Sequence, residues 1–145
     1  KPLVQRRDQL ENQIGKRTPI LVKLAPDLDD GELEGSLEAV ENSRMDGVII
    51  GNTTVSRPPL VSRYAGEIGG LSGHPLNRLN TYMVSRAVNK LGGRLPVVAS
   101  GGVMTPADAQ SKLDAGASLV QLYTGLVYSG PGFVRDCLNC GLTVH

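Results

Sequence analysis

Leu95-Pro96-Val97-Val98-Ala99-Ser100-Gly101-Gly102-Val103-Met104-Thr105-Pro106-Ala107-Asp108 is the stretch that decides the fold of this 145-residue chain. It opens with an apolar run that lacks alternating polar positions, the pattern of a strand covered on both faces. Ser100-Gly101-Gly102 ends the run. Thr105 then stands at an N-cap, Pro106 at N1 and Asp108 at N3, residue types that satisfy or dispense with the free N–H groups of a helix start. That helix runs to near Gly116. Strand, glycine turn and capped helix make one βα unit.

The unit occurs four times along the chain. In the first, Ile20-Leu21-Val22-Lys23-Leu24-Ala25 is stopped by Pro26, and Asp29 or Asp30 caps a helix with Leu33, Leu37 and Val40 at helical spacing. In the second, Gly47-Val48-Ile49-Ile50 leads through a long connection to a helix over about residues 76–91, stopped by Gly92-Gly93. In the fourth, a strand over residues 118–122 precedes a last helix from about Pro131. Residues 1–14 read as a helix before the first strand.

Such alternation predicts a parallel sheet covered by helices, which a doubly wound sheet and a (β/α)8 barrel both satisfy. Three observations favour the barrel. No Gly-x-Gly-x-x-Gly follows the first strand. The chain opens on a helix, as a segment of a longer βα array would. The unusual residues all lie just after strands, where barrels place their active sites. The expectation is an α/β fold, a (β/α)8 TIM barrel of which residues 1–145 supply roughly the last four βα units. On that reading they are the C-terminal half of one domain, cut at both ends, and a missing N-terminal half covers the two open sheet edges.

Composition narrows the function. A hydrophobic fraction of 40% fits one soluble globular unit, and a net charge of +1 gives no reason to expect a nucleic-acid partner. Aromatic residues make up 3%, with no Trp, so no base-stacking surface is expected either. The two cysteines do not make a disulfide scaffold, and no apolar run reaches the roughly 18 residues of a membrane span.

The chemistry-bearing residues follow the strands. Lys23 lies inside an apolar strand, where an unpaired ammonium needs an anionic or polar partner; alternatively its stem is buried and its head is wet. Asn52-Thr53-Thr54 offers a carboxamide and two hydroxyls for a polar ring or carboxylate, or else bonds its own backbone in a turn. The connection from Val55 to His74 has the length of a lid or binding loop, and its Gly69-Gly70-Leu71-Ser72-Gly73 suits close backbone approach to a ligand or a hinge. Ser100-Gly101-Gly102 and Tyr123-Thr124-Gly125 follow the last two strands, where barrels commonly hold phosphate on main-chain amides. Cys137-x-x-Cys140 lacks a second ligand pair, with His145 an isolated candidate, so helix packing is expected and no metal site. His74 reads as a solvated turn residue and Arg6-Arg7 as a wet helix face.

Taken in order, Val22-Lys23-Leu24-Ala25-Pro26-Asp27-Leu28, Gly51-Asn52-Thr53-Thr54-Val55-Ser56-Arg57-Pro58, Gly69-Gly70-Leu71-Ser72-Gly73-His74-Pro75-Leu76, Gly101-Gly102-Val103 and Ala115-Gly116-Ala117-Ser118-Leu119-Val120-Gln121-Leu122-Tyr123-Thr124 closely resemble dihydroorotate dehydrogenase of the quinone-dependent, membrane-associated class. The resemblance implies a flavoprotein oxidoreductase of pyrimidine biosynthesis, in which FMN oxidises (S)-dihydroorotate to orotate and a quinone accepts the electrons. By the same resemblance Lys23 lies beside the flavin ring, where a fixed cation stabilises charge on the reduced ring. Asn52 and Thr53 match the pair that binds the orotate ring; Gly51, Gly73 and Gly102 match flavin-contacting positions, and Tyr123 and Thr124 the pair whose amides hold the FMN phosphate. The general base of this class is a Ser in the other half of the barrel. Membrane contact comes through N-terminal helices, at the mitochondrial inner membrane in eukaryotes or the cytoplasmic membrane face in bacteria.

The chain departs from that pattern at Gly51, where the family usually has Thr, at Ala99-Ser100 in place of Gly-Val, and at Ser129 and Gly132 around Gly130-Pro131. Competing expectations are a non-flavin phosphate-binding isomerase or lyase barrel and an inactive half-barrel that only binds. The isomerase needs an acid–base pair at strand ends, and Asp27 is the only carboxylate near one.

Overall fold

The computed structural model describes residues 2–143 and is a single sheet with helices on one side. Its strands are β1 (Leu21–Leu24), β2 (Gly47–Ile50), β3 (Val97–Ser100) and β4 (Leu119–Gln121). All pairings are parallel, and the spatial order β1-β2-β3-β4 is the order of the sequence. A doubly wound sheet reverses its winding at a switch point; a barrel winds always in one direction, as these strands do. The helices are α1 (Pro2–Ile14), α2 (Asp30–Asn42), α3 (Asn77–Leu91), α4 (Pro106–Asp114), α5 (Thr124–Ser129) and α6 (Gly132–Asn139), with a 3₁₀ turn at His74–Leu76.

Strand register separates two faces. Val48, Ile50, Val97 and Ala99 point to the helices and join Leu33, Leu37, Val40, Met83, Val84, Ala87 and Leu91 in the main core. The opposite face carries the cross-strand row Lys23, Ile49, Val98, Leu119. Within this chain that face is open at its edges: Lys23 of β1 is exposed, while Val98 in the middle of the row is buried. Leu119 on the same row is 64% exposed. Four strands do not curl far enough to meet, so the face that lines a closed barrel's axis stays open.

The helix starts follow the sequence reading. Asp29, not Asp30, is the N-cap of α2: its carboxylate accepts from the Glu32 amide at 2.8 Å, and Glu32 accepts from the Asp29 amide at 3.0 Å. Thr105 and Asp108 form the same reciprocal box at α4. The extra element is α5, six residues, too short to give a periodic signal. Cys137 packs with Val103, Ala109 and Phe133 in a second small core, and Cys140 is exposed at the end of α6. His145 lies outside the described residues.

The N-terminal ends of the strands are pinned by charge. Arg7 is not a wet surface residue: it is 6% exposed and donates to Asp46 at 2.7 Å. Asp46 also accepts from Arg17 at 2.6 Å and from the Ile20 amide at 2.8 Å. That amide is the main reason its carboxyl sits below the ordinary range, against a smaller upward push from burial. This joins α1 to the start of β1, at the end of the sheet opposite the glycine turns. His74, by contrast, is exposed as expected.

Lys112 of α4 is fully buried, and its Nζ donates to the Asn77 carbonyl at 2.7 Å and the Thr81 hydroxyl at 2.5 Å. Burial lowers its pKa from 10.5 to about 8, partly offset by Asp108. Below about pH 8 the lysine is charged in folded and unfolded chains alike, and the folded state bears the whole burial penalty. As pH rises toward 10.5 the folded lysine releases its proton first, so its contribution to stability improves, by on the order of 2 kcal/mol after solvent screening. Chemical unfolding of the complete protein at about pH 7 and about pH 10 checks this. The stability difference between wild type and Lys112→Met should shift toward wild type at the higher pH; a difference independent of pH would contradict it.

Candidate functional site

An open pocket of about 100 Å³ lies at the C-terminal ends of all four strands. β1 brings Lys23; the exit of β2 brings Asn52 and Thr53; the long connection returns Ser72 and Gly73; β3 contributes Ser100, Gly101 and Gly102, and β4 contributes Gln121, Tyr123 and Thr124. Among the described residues the pocket's polar groups are one ammonium, neutral amides and hydroxyls, with no carboxylate on the wall.

The glycine turn after β3 is held from behind. Gly102 has φ 74°, and its carbonyl accepts from Asn77 Nδ2 at 3.0 Å. The same Nδ2 donates to Asp108 at 2.9 Å, whose other oxygen accepts the amides of Met104 and Thr105 at 3.0 and 2.9 Å. The first turn of α3 and the cap of α4 thus fix one backbone loop. Beneath it, Asn80 is fully buried and donates to the Ser100 carbonyl at 2.9 Å, while its Oδ1 has no partner among the described residues. Across the pocket, Gly73 lies close enough to Thr124 that a Cβ on it would sit 3.5 Å from the Thr124 methyl. Thr124 opens α5; the Leu126 amide donates to the Tyr123 carbonyl at 3.0 Å, and the amides ahead of it, at the start of the helix, are the main-chain donors beside the pocket.

Seven of the eight residues singled out in sequence line this pocket: Lys23, Asn52, Thr53, Gly73, Gly102, Tyr123 and Thr124. Gly51 does not. It is buried behind the wall with φ 111°, and a Cβ there would fall on the Ser100 carbonyl. The usual Thr therefore has no room in this backbone. Sequence reasoning did not single out Gln121 on the wall or Asn80 beneath it. The signal for Asn80 was a carboxamide in helical phase with Leu76, Met83, Val84 and Ala87, all buried. The connection of residues 55–74 is anchored at its base: Thr54 and Leu71 form an antiparallel bridge.

The residues from 3 to 140 match a protein-family model described as dihydroorotate dehydrogenase. The chain is 44% identical over 134 residues to the dihydroorotate dehydrogenase (quinone) of Azoarcus sp. strain BH72, covering 92% of this chain and 40% of that protein. It is 52% identical over 119 residues to that of Xanthobacter autotrophicus, covering 81% of this chain and 33% of the relative. Among solved structures, a dihydroorotate dehydrogenase from Eimeria tenella in complex with ferulenol superposes with a TM-score of 0.82 at 41% identity, over 88% of this chain and 34% of that one. The chain spans about 40% of the length of the first curated relatives it matches. Its parallel strands, wound in one direction with helices on one face, are the (β/α) barrel architecture of that enzyme. The chain belongs to the dihydroorotate dehydrogenase family, and its relatives there are of the quinone-dependent kind.

Proposed function

We propose that residues 1–145 are the C-terminal half of a (β/α)8-barrel enzyme that oxidises (S)-dihydroorotate to orotate with FMN and passes the electrons to a quinone, in pyrimidine biosynthesis. The observation that carries this reading is the convergence of Lys23, Asn52, Thr53, Gly73, Gly102, Tyr123 and Thr124 on one wall free of carboxylates. Such a wall suits an anionic, planar, phosphate-bearing ligand: one fixed cation, neutral hydrogen-bonding groups, and a glycine turn with room for close approach. FMN, when bound, supplies the hydride acceptor.

The chain's own groups then have distinct tasks. Lys23 holds a positive charge at the pocket where negative charge develops during the reaction. Asn52 and Thr53 offer a carboxamide and a hydroxyl to orient the substrate ring without neutralising its carboxylate. The amides around Gly102, Tyr123 and Thr124 hold phosphate, and Gly73 keeps the wall thin beside Thr124. The described residues on the pocket wall offer no carboxylate or imidazole as a proton acceptor. We assign that role to a Ser in the N-terminal half, which also covers the sheet face bearing the exposed Lys23 and Leu119.

No helix among the described residues is long and apolar enough to cross a membrane, so the proposed membrane contact belongs to the N-terminal segment. The curated relatives named above are bacterial, which favours the cytoplasmic face of a bacterial membrane over the mitochondrial inner membrane.

The complete protein should purify yellow, and anaerobic dihydroorotate should bleach its flavin absorbance. Residues 1–145 alone should neither turn over dihydroorotate nor bind FMN tightly. A colourless complete protein that binds sugar phosphates would replace this reading with a phosphate-dependent isomerase or lyase.

A further inference from the structure

Asp27 stands just beyond β1 and is not on the pocket wall. Its carboxylate reaches across to the exit of β2, where it accepts from the Thr54 hydroxyl, the Val55 amide at 3.1 Å and the Ser56 hydroxyl at 3.3 Å. Thr54 is 3% exposed and follows directly on Asn52-Thr53, whose own side chains are exposed. The other side of this segment is held by the returning connection. The Thr54 amide donates to Leu71 at 3.1 Å, and the Leu71 amide donates back at 2.8 Å. Gly70 lies so close to Thr53 that a Cβ on it would fall on the Thr53 side chain. Arg57 closes the base of the loop by donating to the carbonyls of Thr54, Val55 and Ser56 at one end and of Glu67 and Gly69 at the other.

We propose that Asp27 is a positioning residue for substrate: it fixes Asn52 and Thr53 through Thr54, against Gly70-Leu71 as the opposing jaw. This rests on the reading of Asn52 and Thr53 given under Proposed function. Asn52 and Thr53 are exposed at a strand exit, and apart from the approach of Gly70 to Thr53 it is the backbone carrying them that sets their direction. Their geometry is therefore inherited from the nearest buried anchor, and that anchor is Thr54. Partial burial pushes the Asp27 carboxyl up, but the bonds from Thr54, Val55 and Ser56 outweigh it and leave it below its ordinary value. At neutral pH it is an anion, able to accept all these bonds together. Displacement of the pair by about 1 Å is enough to cost up to about a hundredfold in a positioned reaction.

The test uses the complete, flavin-loaded protein, with orotate as the probe. Asp27→Ala is expected to raise the orotate Kd and the dihydroorotate KM by about tenfold or more while flavin content is retained. Asp27→Asn keeps one acceptor and should fall between this variant and wild type. Thr54→Val removes the donor while keeping the side chain's shape, and so carries the test if Asp27→Ala does not fold; it should show the same loss of orotate affinity. A purely structural role would lower Tm and leave the orotate Kd of these variants at the wild-type value, and that result overturns the proposal. If wild type itself holds flavin but fails to bind orotate, the reading of Asn52 and Thr53 falls, and the positioning role falls with it.

Discussion

Gly102→Ala should empty the flavin site and destabilise the complete protein together. The residue sits at φ 74°, a left-handed conformation that costs an ordinary L-residue about 1–2 kcal/mol. The added Cβ would also fall on the backbone nitrogen of Asn77, the first residue of α3, which is not free to move. It is held by its side chain to Gly102 itself and to Asp108, and its carbonyl accepts from the buried Lys112. Overpacking against backbone adds about 1–3 kcal/mol, so a total near 3 kcal/mol is expected. The relief is outward movement of the Gly101-Gly102 turn, into the volume where phosphate is proposed to sit. Flavin content after purification and urea unfolding measure the two effects. Gly93→Ala is the control: it shares the left-handed φ, at 80°, but a Cβ there meets nothing within 4 Å. It should cost about 1 kcal/mol and leave flavin unchanged. Equal behaviour of the two variants would remove the proposed cradle.

Lys23→Ala is expected to act on rate alone. The side chain is exposed on the open face of the sheet, so its removal should change stability by no more than about 0.5 kcal/mol. It is, however, the only cationic side chain on the pocket wall among the described residues. Loss of one group aimed at developing charge typically lowers a rate by about 10²–10³-fold, and a reduction of that size is expected for flavin bleaching by dihydroorotate in the stopped-flow instrument. Lys23→Arg should recover part of it, since the charge persists with altered geometry. Bleaching at the wild-type rate in Lys23→Ala would remove the electrostatic role.

The two variants separate the two ways this chain serves the pocket. Lys23 acts by its own charge from a strand that needs nothing special to hold it. Gly102 acts by having no side chain, and its position depends on a network that reaches through Asn77 and Asp108 to Lys112. Asp27 stands between these cases, an anion whose partners belong to another strand's exit.

What the sequence alone determined is local. Capping chemistry placed α2 and α4, because Asp29 with Glu32 and Thr105 with Asp108 satisfy free amides within four residues of chain. Apolar runs placed the strands, and glycine-bearing turns beyond them marked the pocket end. What only the tertiary structure decided depends on partners far along the chain. Arg7 reads as a solvated residue until Asp46, 39 positions away, accepts its proton donors. Lys112 is buried only because α3 brings the Asn77 carbonyl and the Thr81 hydroxyl against it. Lys23 reads either as enclosed with a partner or as a buried stem with a wet head, and the choice depends on whether the strands close, which no local pattern encodes. Gly51 stands where the family usually has Thr, and only the fold shows that Ser100 and Asn80 occupy the space a side chain there would need. Propensity and capping are short-range energies and are written in adjacent residues; burial and charge pairing are set by what the fold brings alongside.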